Sequence, residues 1–274
     1  MKKRKILKKI TVGCVIVTSC LLTFASVTQS YQISCRSVIF SDATKNKRLY
    51  GKNVSLKVLP ASTTKVMTAL IVLERLSLNQ YVTVHASATS VQPTKLNLRA
   101  GEQYRVADLL HAAIVNSAND ATVVLAEAVA GSEWKFIQLM NQRAKQLGAY
   151  NTKFANSHGL PTKKGTQYTT AYDMYLIFRQ TLKHSFFKQS IRLKHKTIYS
   201  KEGRQINLKS HNKILFKNWD REIYGKTGYT RRAGACFVGT VQKGDRTLIL
   251  GVFNCPNRWD DIKYIVSRFG NIPL

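Results

Sequence analysis

Apolar and polar positions alternate in short runs near both ends of the chain and recur at helical spacing between them. Ser37-Val38-Ile39-Phe40 and Arg48-Leu49-Tyr50 flank a polar turn from Asp42 to Lys47, which predicts a strand pair. After Pro60, the residues Val66, Met67, Leu70, Ile71, Leu73 and Leu76 predict a buried helix whose first turn carries Ser62 and Lys65. Asn79 to Gly101 has no helical period and reads as a small extended insertion. Val106 to Val115 and Asp120 to Ala130 predict two apolar helices joined by the tight loop Asn116-Ser117-Ala118-Asn119. Ser132 to Leu147 predicts an amphipathic helix with Phe136, Met140, Ala144 and Leu147 on one stripe, stopped by Gly148. Thr169 or Thr170 caps a further helix through about Leu182. Glu222 to Thr230, Ala233 to Val241 and Thr247 to Asn254 are strand-like, the last two joined by a turn at Gly244-Asp245. Strands at both ends predict an α/β (α+β) sandwich, in which N- and C-terminal strands share one antiparallel sheet packed against a helical subdomain, with a cleft between sheet and helices.

The start of the chain changes the compartment. Met1-Lys2-Lys3-Arg4-Lys5, with Lys8 and Lys9, precedes a mostly apolar run from Ile10 to Val27, about the length of a signal peptide. The chain is therefore read as exported, to the periplasm or the outer face of the cytoplasmic membrane. Thr23-Phe24-Ala25 offers the small residues that a signal peptidase needs, while Gly13, Thr18 and Ser19 dilute the run without charging it. Residues 1–27 are thus a cleaved signal peptide or an uncleaved N-terminal anchor. Val17-Thr18-Ser19-Cys20 also has the form of a lipoprotein box, although the apolar run continues past it through Leu21, Leu22 and Phe24. No Pro- or Gly-rich linker, repeat or low-complexity stretch divides residues 28–274, which are enough for one large core. The five cysteines at 14, 20, 35, 236 and 255 show no CxxC spacing, so zinc is not expected, and outside the export segment they allow one disulfide.

Forty-three Lys and Arg against 14 Asp and Glu leave a formal net charge of +29, spread over the whole length. Nucleic acid is not an expected partner: an exported chain seldom meets it, and no helix-turn-helix, RNP or finger pattern is present. What such charge supplies is weak, long-range attraction to anionic lipid headgroups or wall polymers.

Three short stretches carry candidate chemistry: Ser62-Thr63-Thr64-Lys65, Ser117-Ala118-Asn119 and Lys226-Thr227-Gly228. Each alone occurs by chance, but their order and settings agree. Spaced i, i+3, Ser62 and Lys65 share a helix face near an N-terminus whose free N–H groups favour a developing anion. A serine hydroxyl needs an adjacent base to act as nucleophile, and Lys65 can be that base once desolvation and the neighbouring Lys226 strip its proton. The SxN motif falls on a helix–helix loop and the KTG motif on a strand, so the three can line one cleft.

These motifs, with Pro60 to Thr68, Asn116 to Ala121, Phe154-Ala155-Asn156-Ser157-His158-Gly159-Leu160, Thr169 to Met174 and Lys226 to Thr230, resemble the low-molecular-mass penicillin-binding proteins that are D-alanyl-D-alanine carboxypeptidases, serine peptidase family S11. Class A β-lactamases share the motifs but typically carry SDN and an ExxLN loop, whereas this chain has Ala118 and an Asn-Ser-His-Gly-Leu loop without Glu. It also departs from its own family, with Ile223-Tyr224-Gly225 where Asp-Gly-Ile is usual, and it stops at Leu274, near where the family's catalytic domain ends and before the β-rich second domain of many members. The resemblance implies Ser62 as nucleophile, Lys65 as general base and Ser117 as proton relay to the leaving nitrogen. It implies an oxyanion hole from the backbone N–H groups of Ser62 and Tyr229. Asn119 would fix the substrate amide, Lys226 and Thr227 the terminal carboxylate, and Gly228 would let substrate lie against the strand. His158, Arg258 and His211 are secondary candidates: a loop histidine, an arginine either solvated or assisting the carboxylate, and a histidine where the family often has a basic carboxylate-binding residue. No cofactor or metal is called for. The implied reaction removes the terminal D-alanine from peptidoglycan stem peptides, with β-lactams as covalent inhibitors. Endopeptidase or transpeptidase action on cross-linked peptides needs the same residues, and a non-enzymatic polycationic wall-binding protein would keep the fold without the chemistry.

Overall fold

The computed structural model describes residues 31–162 and 166–274. The basic leader and the apolar run to Val27, with Cys14 and Cys20, lie outside the described residues, and so do the expectations made for them. Within Ile33 to Leu274 the chain forms β1 (Ser37–Asp42), β2 (Lys47–Lys52), α1 (Lys65–Arg75), β3 (Tyr81–Thr83), α2 (Ala86–Thr89), β4 (Gln103–Arg105), α3 (Val106–His111), α4 (Asn119–Ala130), α5 (Glu133–Gln146), α6 (Ala171–Thr181), α7 (Ser185–Ser190), β5 (His195–Tyr199), β6 (Gln205–Lys209), β7 (Tyr224–Thr230), β8 (Gly234–Lys243), β9 (Arg246–Phe253) and α8 (Arg258–Gly270).

The main sheet has the order β2-β1-β9-β8-β7, and every neighbouring pair in it is antiparallel. The first strand pairs with the last, Ser37 opposite Phe253 and Asp42 opposite Leu248. β1 is buried along its whole length, as expected of a strand covered on both faces. One face packs on the helical layer around Met67, Leu70, Leu109, Leu125 and Phe178. The other packs on α8, whose Ile262, Ile265 and Val266 meet Phe40, Leu250 and Val252. Sequence reading passed over that covering helix, although its apolar residues recur at i, i+3, i+4 spacing. It also passed over the β5–β6 hairpin, whose single buried residues, Ile198 and Leu208, give too little apolar pattern to stand out. The extended insertion resolves into the β3–β4 pair with the short α2 between.

Local signals set the boundaries. Thr170 caps α6 by accepting from Asp173 N at 3.0 Å, and Ser132 caps α5 by accepting from Lys135 N. The Gly131 and Gly148 turns have φ of +74° and +79°. Cys35 and Cys255 form a disulfide across 220 residues of chain, and Cys236 stays a buried thiol. Among the described residues, no helix is long and apolar enough to cross a membrane.

Candidate active site

Ser62 stands on a single 3-10 turn, Ala61–Thr64, and α1 begins only at Lys65. The expectation of one continuous helical turn is thus corrected: Pro60 lacks an N–H, and Ala61 sits at φ +47°, a strained value for alanine. Two backbones press on this turn. A Cβ on Gly228 would lie 3.0 Å from Ser62 N, and one on Gly159 only 1.8 Å from the Ala61 carbonyl oxygen. Glycine at these positions lets β7 and the 156–160 loop close on the serine from both sides.

Lys65 is fully buried, with Nζ 3.2 Å from Ser62 Oγ. It donates to Asn119 Oδ1 at 2.7 Å and to the His158 carbonyl at 3.0 Å. A neutral amine has two protons and one lone pair. In that neutral form, with both protons committed to those acceptors, the lone pair would be left for the serine hydroxyl. Burial, and then the charge of Lys226, hold Lys65 well below the usual lysine range, with Asp120 acting weakly the other way. Asp120 is buried beside it and accepts from the backbone of Leu96, Leu98 and Ala121. Sequence reading passed over this carboxylate, although it directly follows Asn119.

Ser117 ends a π-helical turn, Ala112–Asn116, in the left-handed region at φ +63°. That conformation, uncommon for serine, turns its hydroxyl toward Lys226, whose Nζ donates to Ser117 Oγ at 2.9 Å and to the Thr227 carbonyl at 3.0 Å. The described side-chain partner of Ser117 is therefore Lys226. Burial, and then Arg258, push Lys226 down to about 7. β7 is an edge strand, so alternate backbone groups of Thr227, Gly228 and Tyr229 face away from β8, while the Tyr229 side chain is exposed.

The secondary candidates separate. The His158 ring accepts from Leu160 N and lies 3.9 Å from Glu133, and burial followed by Lys65 pushes it down to about 3. Its carbonyl, not its imidazole, reaches Lys65. Arg258 is no solvated surface residue: it donates to the Gly228 and Cys236 carbonyls at 3.2 and 2.8 Å and stacks on Trp259, and burial lowers it to about 10. His211 lies at the cleft, pushed down to about 4 by desolvation and then by Lys226 and Lys65.

Ser62, Ser117, Thr227 and Gly228 line one cleft of about 880 Å³, joined by His211 and Arg258. Its lining includes Lys209, Lys213 and Lys217, and no carboxylate among the described residues lines it. These three lysines were missed, because in so basic a chain nothing in the sequence marks them off from their neighbours. A serine facing a desolvated lysine, a second serine–lysine pair and a cationic cleft between sheet and helices define the penicillin-binding class of serine acyl-transfer enzymes. Within that class the chain belongs to the D-alanyl-D-alanine carboxypeptidase family of S11 peptidases, which it matches over residues 24–257. It is 35% identical to the D-alanyl-D-alanine carboxypeptidase DacC of Escherichia coli over 79% of this chain and 56% of that protein. With DacF of Bacillus subtilis, also a D-alanyl-D-alanine carboxypeptidase, it shares 29% identity over 91% of this chain and 66% of that one. The chain thus spans somewhat less than two thirds of these relatives' length. Among solved structures, the Streptomyces K15 DD-transpeptidase is 25% identical with a TM-score of 0.80, covering 88% of this chain and 99% of that one.

Proposed function

We propose that residues 28–274 form the catalytic domain of an exported serine D-Ala-D-Ala carboxypeptidase that removes the terminal D-alanine from peptidoglycan stem peptides through a Ser62 acyl-enzyme. The observation that carries this reading is Lys65: buried, depressed in pKa, and with both N–H bonds taken by Asn119 and His158 so that its lone pair meets Ser62. Ser62 Oγ attacks the carbonyl of the penultimate D-alanine as Lys65 takes its proton. Backbone N–H groups of Ser62 and Tyr229 hold the oxyanion; losing one such donor costs about 10²–10³ in rate. Ser117, fed by Lys226, passes a proton to the departing D-alanine nitrogen. Thr227 and the cations Lys226 and Arg258 hold the terminal carboxylate. Water, activated by Lys65, then releases the acyl group. β-Lactams would acylate the same serine.

Transfer to an amine in place of water is the second reading, and the likeness to a DD-transpeptidase favours keeping it. Weak contact of the basic surface with anionic lipid or wall polymer adds retention, not specificity. Incubation with a D-Ala-D-Ala-ended pentapeptide, scored for free D-alanine beside a cross-linked dimer, tests the proposal. Release from the pentapeptide supports it, whereas cleavage of the dimer alone would replace it with the endopeptidase reading.

A further inference from the structure

A second groove, of about 890 Å³, lies behind the segment that walls the cleft: Gln92 lines the groove and Thr94 the cleft. The two sites share their framework. The Gln92 carbonyl accepts from Asn119 Nδ2 at 3.1 Å, and His158, whose carbonyl accepts from Lys65, turns its ring toward the groove.

Among the described residues that line the groove are one lysine, Lys153, and one carboxylate, Glu133, whose Oε1 is already taken by Ser157. Beside them stands Trp134, 67% exposed, with Gln138 one turn further along α5 on the same face. Gln92 lines the groove with them, and both glutamines are exposed.

We infer that this groove binds the neutral, N-acetylated sugars of a glycan strand to which the stem peptide is attached. An exposed indole offers a flat apolar face for the C–H side of a pyranose ring, and uncharged amides pair with hydroxyl and N-acetyl groups without favouring either sign of charge. Its volume lies within the range of small-ligand sites, and its shared walls put a sugar bound there beside the catalytic lysine's own partners. The inference rests on the peptidoglycan peptidase reading and adds to it that the preferred substrate is glycan-attached.

The test compares the full chain with Trp134→Ala and Gln138→Ala on one pentapeptide, free and carried on its disaccharide, and on penicillin. The wild type should process the disaccharide form faster. Trp134→Ala should lose about tenfold in kcat/KM on that form alone, with the free peptide and penicillin acylation unchanged. Equal loss on both peptides would assign the groove to the stem peptide and overturn the proposal, as would an unchanged preference. Should neither peptide release D-alanine, the peptidase reading fails by itself. The groove is then decided by titrating the N-acetylglucosamine disaccharide against indole fluorescence: a saturable change absent from Trp134→Ala supports it, and no change at millimolar sugar overturns it.

Discussion

Replacing Gly159 by alanine perturbs Lys65, the proposed general base, without touching a side chain of the site. Gly159 lies in the left-handed region at φ +91°, and a Cβ there would sit 1.8 Å from the Ala61 carbonyl oxygen, 2.4 Å from its carbon and 2.9 Å from Thr64 Oγ1. Since Cβ atoms do not approach other groups closer than 3.0 Å, the 156–160 loop and the Ser62 turn must part by more than an ångström. The adjacent His158 carbonyl moves with the loop, and its 3.0 Å bond to Lys65 Nζ stretches past hydrogen-bonding range. Lys65 then loses one of the two acceptors that orient its lone pair. A misplacement of about 1 Å at a reacting group costs about 10²-fold, equal to about 2.7 kcal/mol of barrier. Stopped-flow acylation by penicillin should therefore slow about a hundredfold, with a stability loss of about 1–3 kcal/mol from overpacking and strain. Gly101 supplies the control, with the same φ of +91° and nothing within 4 Å of its Cβ. Gly101→Ala bears the strain alone and should acylate at the wild-type rate. A folded Gly159→Ala acylating within tenfold of wild type would refute the argument, and so would an equal loss in Gly101→Ala.

Other outcomes follow from the charges and the crosslink. The free-enzyme kcat/KM profile on a carboxylate-bearing peptide should carry two opposing limbs: a rise where the depressed Lys65 loses its proton and an alkaline fall through about pH 7 as Lys226 loses its charge. Lys226→Arg should remove the alkaline limb and Lys65→Arg should be inactive, because guanidinium stays charged; an active Lys65→Arg would move the base elsewhere. Burial lowers His158 to about 3 and His111 to about 4, so the unfolded chain binds more protons between there and pH 6.5, and stability falls as pH drops through that window. Each contributes about 1.4 kcal/mol per pH unit; denaturant melts of His158→Gln should show a shallower slope, and an unchanged slope would contradict the assignment. Reducing the Cys35–Cys255 disulfide, which closes a 220-residue separation, should cost about 2–4 kcal/mol. A melting temperature insensitive to reductant in the wild type would argue against the bridge.

The sheet and the helical middle were legible because β1, β8 and β9 write their burial as continuous apolar runs and α1 as a helical period. The three motifs announced the chemical groups. What they could not announce was set by backbone shape. The 3-10 turn under Ser62, the left-handed Ser117 and the approach of Gly159 to Ala61 depend on contacts across the fold rather than on neighbours in sequence. The same holds for partners. Nothing local tells that Lys65 binds the carbonyl rather than the ring of His158, or that Arg258 at the start of α8 is drawn onto Gly228 and Cys236. The pairing of Cys35 with Cys255 follows once β1 and β9 lie side by side, with Ser37 opposite Phe253.

The most direct test of Ser62 as the nucleophile is peptide mapping of the full chain after labelling with penicillin, beside Ser62→Ala. One adduct on the peptide that contains Ser62, absent from a Ser62→Ala protein with an unchanged melting temperature, is the predicted result. A label that persists in Ser62→Ala, or that maps to Ser117, would contradict it.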